Sequence, residues 1–545
     1  MAATHPPSSI LLRGGTILTH GDKDHVVPLW VTDLLVRNGV ITDIGKNISP
    51  PSSDTEVIDC KGKIISPGFV DTHHHLWQTQ LKGRHAEQGG NGSVRQVLLT
   101  TATLGNMMSY AYSPDDMYWG QLSGCLEAIH AGTTTVLDHA HCAYSPAHAA
   151  SALNATIDSG IRGIFAYSIP MRISKWDQSQ CTPDQDLLPE WALKQIAELA
   201  QTHNQPGAVV EIGMGFDFWF LPQEMVLGML AKLRQSGLRV LTSHAGCNAF
   251  MGLQSPVPKF QSYKLLGAPY PPPETAREMP FLLLSHCNGL PQEDLSILAS
   301  TGTPISSTPG TEAQMGMSYP VALDPALRNQ YGNTANVSLG VDCHSSEPSS
   351  MPQQARMLLQ LARVEKNARL LAKGQFPSGD VTGTSEDVFN LATIRGARCL
   401  GLDADVGSIA PGKKADLLVF NASASVGMLS AAEYDPVVAI VRFSEAADID
   451  TVIVDGVVRK RAGKLLVTPV GRHVTASQAN IRGTAAGEAV SEAATVHLEW
   501  TEIADRVRRS QREIQSRIDG LSLDKARDMM LSAYHTDLSR LVDAR

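Results

Sequence analysis

The sequence predicts an α/β fold: a (β/α)8 TIM-type barrel, a small β-sandwich built from both chain ends and a helical C-terminal extension. Through the middle of the chain, short apolar strand candidates alternate with helical stretches, as in parallel α/β folds. Runs of β-branched residues closed by Gly, Asn or Asp flank that middle on both sides. We expect the sandwich in residues 1–66 and 401–470, the barrel in 67–400 and the extension in 471–545.

The two ends of the predicted sandwich share a texture of short strands and turns. The N-terminal strand candidates are Ile10–Leu18, Leu29–Val36, Val40–Ile44 and Val57–Ile65. The later ones are Ala415–Phe420, Val437–Phe443 and Thr451–Lys460. The segments between them instead alternate strand and helix candidates. We therefore expect both end sets to assemble into one β-rich unit.

Eight strand candidates can be counted in the middle of the chain. They are Gly68–His73, Thr133–His141, Gly163–Ile169, Val209–Phe216, Arg239–Ala245, Phe281–Cys287, Pro304–Gly310 and Val337–His344. The third and seventh are the weakest in pattern. Eight parallel strands fit a closed barrel better than an open doubly wound sheet.

The last segment, Ser491–Arg545, is charged and helical in period. Its apolar residues are spaced for one face of an amphipathic helix: Leu498, Ile503, Val507, Ile514 and Leu521. We expect this face to pack on the barrel or on a neighbouring subunit.

Composition and charge exclude several classes of function. The 545-residue chain carries a net charge of −9 and has no Lys/Arg cluster interleaved with aromatics, so we expect no nucleic-acid partner. The start, MAATHPPSSI, lacks the pattern of a signal peptide, and no apolar run is long enough to span a membrane. The 8 cysteines form no C-x-x-C pair, which favours a reducing, cytoplasmic location. The expected partner is a small-molecule substrate, and a homodimer stays open.

Histidines and one aspartate gather at the carboxyl ends of the strand candidates. They are His73, His75, His139, His141, His244, His286, Asp342 and His344. In an α/β barrel this rim carries the active site, because the loops there converge on one pocket. A single strand histidine is most often a core residue, but a whole set on one rim indicates a functional site.

Strand parity sharpens the assignment. Side chains alternate along a strand, so His73 and His75 share one face while His74 points to the other. The same argument pairs His139 with His141. Two imidazoles separated by one residue can hold a single ion, and another His and a carboxylate would complete a catalytic site. Zinc suits such ligands, with iron or manganese as alternatives.

At this point the sequence resembles the amidohydrolase superfamily. The motifs that carry the resemblance are SPGFVDTHHHLWQTQLKG (66–83), AGTTTVLDHAH (131–141), SHAG (243–246), LSHCNG (284–289), LGVDCHSS (339–346) and GSIAPGKKADLLVF (407–420). The resemblance covers roughly residues 8–470, and the C-terminal tail lies outside it. Within the superfamily the chain is similar to the branch of triazine hydrolase, guanine deaminase and adenosylhomocysteine deaminase.

The resemblance implies a role for each matching residue. The implied metal ligands are His73, His75, His244 and Asp342. No lysine lies in the fourth strand, where dinuclear relatives carry one, so one divalent ion is implied. His286 would polarise the substrate, and Asp342 would also accept a proton from the attacking water. Gln78 matches a substrate-contacting position of guanine deaminase. From their places on the rim, we also expect Trp77, His139 and His141 to line the pocket and bind substrate.

One departure from the branch concerns proton transfer. Deaminases of the branch have a glutamate three residues after the fifth-strand histidine, where this chain has Cys247. A thiol is a poor substitute for a carboxylate that shuttles protons near neutral pH. Glu312 is a candidate replacement and is expected to be catalytic, with His141 and His344 as alternatives. Protonation of the leaving nitrogen otherwise lacks an obvious donor.

These residues predict a metal-dependent hydrolase that acts on carbon–nitrogen bonds, other than peptide bonds, in a small cyclic or aromatic substrate. The loss of the glutamate motivates one alternative, a metal-dependent lyase or other non-hydrolytic enzyme on the same scaffold. A non-catalytic scaffold is a third reading. The retained ligands argue against it, because a relaxed site should have lost at least one of them.

Overall fold

The computed structural model describes residues 9–84, 105–247, 254–269, 279–327, 336–379, 381–471 and 495–533. The strands in chain order are β1 (Ser9–His20), β2 (Val26–Arg37), β3 (Val40–Gly45), β4 (Glu56–Asp59), β5 (Ile64–Pro67), β6 (Phe69–His74), β7 (Thr133–Ala140), β8 (Arg162–Ser168), β9 (Ile173–Trp176), β10 (Cys181–Pro183), β11 (Val210–Gly215), β12 (Val240–Gly246), β13 (Phe281–Asn288), β14 (Ile305–Ser307), β15 (Val337–Leu339), β16 (Leu417–Phe420), β17 (Ile449–Val454), β18 (Val457–Arg461), β19 (Lys464–Leu465), β20 (Thr468–Val470) and β21 (Val496–Leu498).

The α-helices surround the strands. They span Gly105–Met107, Pro114–His130, Pro146–Ser159, Glu190–His203, Gln223–Gln235, Val257–Ser262, Gln292–Thr301, Pro309–Gln314, Met351–Leu371, Ser385–Leu391, Ile394–Leu400, Leu429–Tyr434, Pro436–Val438, Trp500–Ile518 and Leu523–Ala533. Among the described helices, none is both long enough and apolar enough to cross a bilayer.

Eight parallel strands form the barrel, which confirms the predicted fold class. Their order is β6-β7-β8-β11-β12-β13-β14-β15, the order in which they follow one another along the chain. The ring closes where the amides of Val341 and Asp342 donate to the His73 carbonyl oxygen, at 3.1 and 2.8 Å. Gly340 permits this approach, because a Cβ there would lie 2.7 Å from that oxygen. The eighth strand therefore ends earlier than the predicted Val337–His344.

Helices and a core of apolar side chains cover the outside of the barrel. All eight residues of β7 are buried, as expected for a parallel strand covered on both faces. The helix Pro114–His130 begins with a capping box, in which Ser113 and Asp116 each bond the other's backbone amide, and with proline at its first position. These local signals fix where this crossover helix starts.

The second large sheet draws strands from both sides of the barrel. Its order is β19-β18-β17-β16-β5-β1-β2-β3, with β4 paired to β1 in parallel. The predicted strand Val57–Ile65 is two strands, and Thr451–Lys460 belongs to a hairpin whose turn is Asp455-Gly456. A separate group of buried apolar side chains, which includes Leu12, fills this sheet's core.

The predicted strand Val437–Phe443 is wrong, because this segment is helical. Asp435 accepts hydrogen bonds from the amides of Val437 and Val438, at 2.8 and 3.0 Å, and Pro436 occupies the first helical position. This cap starts a turn that continues as a wider helix over Ala439–Phe443. The local cap outweighs the β-propensity of the Val and Ile residues.

The C-terminal helix Trp500–Ile518 packs on the barrel layer of its own chain. Its Ser510 Oγ donates to Asp116 Oδ1 at 2.6 Å and accepts from Gln80 Nε2 at 2.9 Å. The buried face consists of Ile503, Ser510, Ile514 and Ile518. The predicted face is thus correct for Ile503 and Ile514, whereas Leu498 lies in β21.

A buried ion pair joins the barrel to the second sheet. The Arg162 guanidinium, at the start of β8, lies 2.9 and 3.1 Å from the two oxygens of Asp416 and 2.8 Å from Asp455. The side chains of Arg162 and Asp416 are only 8% and 1% exposed. Removing one partner therefore leaves a buried charge without compensation.

We expect Arg162→Met to lower the free energy of unfolding by roughly 3–5 kcal/mol, because Asp416 would stay buried without its cation. Urea or thermal denaturation followed by circular dichroism measures the change. Arg369→Met is the control, since that side chain is 76% exposed beside Glu365 and such pairs contribute about 0–1 kcal/mol. Equal free energies of unfolding for the two variants would contradict a stabilising role of the Arg162–Asp416 ion pair.

Candidate metal centre

The carboxyl ends of the barrel strands bring four histidines and one aspartate together. One ligand atom from each of four residues lies within 4.8 Å of the others, namely from His73, His244, His286 and Asp342. His75 joins this group, because its Nε2 is 2.9 Å from Asp342 Oδ1. The five residues, hereafter the histidine cluster, lie on the rim where α/β barrels carry their active sites.

Each imidazole of the histidine cluster is held through Nδ1 by a neighbouring group. The pairs are His73 with Ser285 Oγ at 2.8 Å, His75 with the His139 carbonyl oxygen at 2.8 Å, His244 with Asp217 Oδ2 at 2.9 Å and His286 with Thr308 Oγ1 at 3.0 Å. Contacts of this kind orient metal-binding imidazoles and leave Nε2 available. The four Nε2 atoms are thus left for a common partner.

His73 Nε2 tests whether these residues fit a metal ion. The atom is buried 3.2 Å from Asp342 Oδ1, yet it makes no well-directed hydrogen bond within the described part of the chain. Buried polar atoms in folded proteins are nearly always paired. Imidazole nitrogens and a carboxylate oxygen are donors that zinc and neighbouring transition metals accept. The donor set fits a divalent metal ion.

The electrostatics of His73 and Asp342 also favour the protonation states that metals bind. Burial holds the pKa of His73 well below its usual range, which keeps the ring neutral. Burial alone would raise the pKa of Asp342, but His286, His73 and His75 outweigh it and hold that pKa well below its usual range. Neutral imidazoles and an ionised carboxylate are the ligand forms.

The backbone is strained at this rim. His286, Cys287 and Asp342 have φ values of 74°, 60° and 70°, in the left-handed region that non-glycine residues rarely adopt. Each such residue costs on the order of 1–3 kcal/mol, and such strain concentrates at functional sites. The strain turns the side chains at the ends of β13 and β15 toward the centre of the rim.

His139, at the end of β7, lies beside the histidine cluster. Its Nε2 is 3.2 Å from Ser168 Oγ and 3.5 Å from Asp217 Oδ2. A Cβ at Gly215 would lie 2.6 Å from this nitrogen, so only glycine leaves room for the ring. His139, Asp217 and His244 form a second group of possible ligand atoms within 4.8 Å.

Trp77 and His141 are both buried at one side of the cluster. The Trp77 indole Nε1 donates to His141 Nδ1 at 3.0 Å. The His141 ring stacks on His75 with centroids 4.0 Å apart. These two predicted substrate-binding residues therefore lie together, directly against a predicted ligand.

Gln78 is fully buried and already has two intramolecular partners. Its Oε1 accepts from the Ser345 amide at 3.2 Å, and its Nε2 donates to Asn106 Oδ1 at 2.9 Å. These bonds brace the loop that follows β6. The predicted contact of Gln78 with substrate stays a prediction, for which one amide hydrogen is left.

Glu312 lies behind His286 and does not line the centre directly. Its carboxylate accepts from the Thr308 amide at 2.7 Å and from Ser307 Oγ at 3.1 Å. His286 Nδ1 is 3.6 Å from Glu312 Oε1, while His286 Nε2 is 3.9 Å from Asp342 Oδ2. The imidazole therefore separates the two carboxylates, and Glu312 can act on the centre only through it.

His344 lies apart from the cluster. His344 Nδ1 is 3.2 Å from His74 Nε2, and the His74 ring bonds Asp71 on its other side at 2.7 Å. The His344 ring thus turns toward His74, and its alternative role as a proton shuttle stays a prediction. The His74 ring points to Asp71 and His344 rather than to the cluster, as expected from parity. Burial raises the pKa of the Cys247 thiol, which leaves less thiolate at neutral pH to accept a proton.

Sequence reasoning missed the groups that hold the imidazoles. Of these groups, Asp217 was the easiest to predict from the sequence, because it comes two residues after the end of β11 and so belongs to the same rim. Ser285 and Thr308 carry no such signal. A hydroxyl beside a strand end is common, and only the three-dimensional packing shows which imidazole it meets.

Comparison with known proteins supports the same fold and class. The Amidohydrolase family matches residues 64–251 and 325–459. A 5-methylthioadenosine/S-adenosylhomocysteine deaminase of Acetivibrio thermocellus is 24% identical over 82% of this chain and 93% of its own length. A 5′-deoxyadenosine deaminase of Methanothermobacter thermautotrophicus is 27% identical over 84% and 95%.

A solved structure agrees with the barrel. The atrazine chlorohydrolase of Arthrobacter aurescens TC1, crystallised with zinc, superposes with a TM-score of 0.65 at 18% identity. The superposition covers 87% of this chain and 100% of that one. The predicted class, a metal-dependent hydrolase of carbon–nitrogen bonds, is confirmed at the level of the family. Because the family match spans more than half of the sequence, the chain belongs to the amidohydrolase family.

Proposed function

We propose that this amidohydrolase is a hydrolytic deaminase, which replaces an amino group on an sp² carbon of a small nitrogen heteroaromatic with oxygen from water. The observation that carries the proposal is the convergence of the Nε2 atoms of His73, His75 and His286 on Asp342, with His244 in the same group and each imidazole held by a separate Nδ1 contact. The names of the two curated relatives support the reaction class, since both are deaminases of adenosine-type compounds.

The proposed metal ligands are His73, His75, His244 and Asp342, and the proposed ion is one zinc per chain. Imidazole-rich ligation favours zinc over magnesium or calcium. A second ion beside Asp217 is disfavoured, because His244 Nδ1 already bonds that carboxylate at 2.9 Å. A divalent ion at the centre supplies Lewis acidity, which activates water at neutral pH and polarises the substrate.

The chain's own residues then carry the protons. Asp342 is the base that accepts a proton from the attacking water, because its ionised carboxylate lies between three imidazoles. His286 donates a hydrogen bond to the attacked group from Nε2, the ring atom nearest Asp342. Both act in a buried site, where charge–charge and hydrogen-bond interactions are stronger than in water.

Glu312 is proposed as the positioning residue for His286. The Glu312 carboxylate lies 3.6 Å from His286 Nδ1, and the Thr308 hydroxyl, 3.0 Å from the same nitrogen, fixes the ring's orientation. With Glu312 behind it, His286 takes over proton delivery to the leaving nitrogen. This arrangement supplies the donor that Cys247 does not.

The experiment is an ammonia assay with zinc-loaded protein against adenosine, 5′-deoxyadenosine, guanine and an aminotriazine. We expect one ammonia per product from at least one of these rings, because each has an amino group on an sp² ring carbon. Mass spectrometry should show the amino group replaced by hydroxyl or carbonyl oxygen. Turnover with water or carbon dioxide eliminated, and no nitrogen released, would instead identify a lyase.

A further inference from the structure

The pair formed by Trp77 and His141 fixes the position of one proton. An indole N–H is only a donor, so His141 Nδ1, 3.0 Å from Trp77 Nε1, must accept. A proton on Nδ1 would place two N–H groups face to face. The ring therefore carries its proton on Nε2, in a single neutral tautomer.

That Nε2–H group is a buried donor without a partner. Its nitrogen is enclosed and makes no hydrogen bond to any part of the chain that the structure describes. Polar atoms in this situation are rare in folded proteins and call for a specific explanation. Trp77 is also completely buried, so water cannot easily exchange into the pair from that side.

The unpaired donor lies beside the proposed reaction centre. The His141 ring stacks on His75 at a centroid distance of 4.0 Å and an interplanar angle of 25°. His75 in turn contacts Asp342 at 2.9 Å. The donor thus lies on a ring that stacks directly on a proposed ligand.

We infer that His141 Nε2–H is a specificity-determining donor, which binds an in-plane acceptor of the substrate ring and is locked in that role by Trp77. The inference rests on the proposed function and deepens it. The acceptor is a ring nitrogen or a ring carbonyl oxygen, since both present an in-plane lone pair to an N–H donor. Rings that present only carbon or N–H at this position would be rejected, because the buried donor would stay unpaired.

Deaza analogues of adenosine test the inference, because each replaces one acceptor nitrogen by C–H. We would measure kcat/KM for ammonia release from adenosine and its 1-deaza, 3-deaza and 7-deaza analogues. For wild-type enzyme, one replacement should cost roughly tenfold to a hundredfold through the lost hydrogen bond, beyond any change in ring reactivity. In His141→Leu that specific penalty should disappear, because leucine has no N–H donor. Ring reactivity affects both enzymes equally and therefore cancels when their penalties are compared.

Two further variants separate the hydrogen bond from packing. His141→Gln places an amide N–H near the original Nε2 and should recover part of the penalty. Trp77→Phe keeps an aromatic ring but frees Nδ1, so the penalty should shrink although zinc content stays normal. His25→Leu, on the exposed surface of the second sheet, is the control.

The outcomes are distinct. An enzyme that deaminates adenosine with the same deaza penalties in wild type and His141→Leu overturns the donor role alone. If the enzyme deaminates guanine but not adenosine, guanine is compared with its 6-thio analogue in the same way. A preference for guanine over the 6-thio analogue that is present in wild type and lost in His141→Leu supports a ring carbonyl oxygen as the acceptor. A protein inert toward every aminated ring overturns the proposed function and this inference with it.

Discussion

Asp342→Asn should lower kcat/KM for deamination by about 10³-fold or more, as expected for loss of a general base at a buried site. The carboxylate approaches three imidazoles, with His75 Nε2 at 2.9 Å, His73 Nε2 at 3.2 Å and His286 Nε2 at 3.9 Å. The amide keeps the shape but has no charge and no basic oxygen. It can neither balance a cation nor accept the proton from water.

The measurement is steady-state ammonia release, with metal content determined on the same samples. Asp43→Asn is the matched control, because that carboxylate is exposed on β3 and should leave activity unchanged. If Asp342→Asn kept its metal and lost less than about tenfold in kcat/KM, the basic oxygen would have to come from elsewhere. The role of Asp342 as proton acceptor would then be untenable.

The barrel could be predicted from sequence because buried parallel strands are continuous apolar runs separated by amphipathic helices. All eight strands were located, including the short β14, which has only three residues. Two C-terminal boundaries failed. The predicted strand Pro304–Gly310 runs past β14 into a helix that begins at Pro309. The eighth strand ends early because Gly340 packs against the His73 backbone and the ladder stops. A close approach between distant backbone segments leaves no local pattern to read.

The site was predictable where strand geometry fixes the side chains. His73 and His75 meet the rim because alternation holds along an extended strand, and His74 is turned away for the same reason. Alternation fails beyond β15, since Asp342 has a φ of 70° and its neighbours are no longer extended. His344 therefore turns toward His74, although it is two residues from Asp342.

The contacts around the imidazoles could not be predicted in the same way. The partner of His244 is Asp217 from another strand end, and the partner of His73 is Ser285 from β13. These pairs depend on the stagger of neighbouring strands and on loop paths, which the sequence pattern does not determine. Such outer contacts tune the basicity and orientation of the metal-binding nitrogens.

His73→Ala should lower metal affinity at least about 100-fold, because losing a ligand exceeds the 10–100-fold cost of losing an outer contact. His73 is the hub of the cluster, with ring centroids 4.8 Å from His75, 4.9 Å from His244 and 5.3 Å from His286. Its Nε2 is buried and makes no well-directed hydrogen bond within the described residues. Deamination should fall to background together with bound metal.

Metal affinity is measured by competition with a chelator of known zinc affinity, and bound metal by elemental analysis after dialysis. His74→Asn is the matched control, since it changes the adjacent residue yet can keep the Asp71 contact made at 2.7 Å by Nδ1. We expect this variant to hold about one zinc per chain, as the wild type should. Full zinc occupancy in His73→Ala, with affinity near that of the control, would show that the ion sits elsewhere. The convergence of Nε2 atoms on Asp342 would then have to be explained as a hydrogen-bonded network. The proposed mechanism would fail, because it requires a metal ion at the histidine cluster.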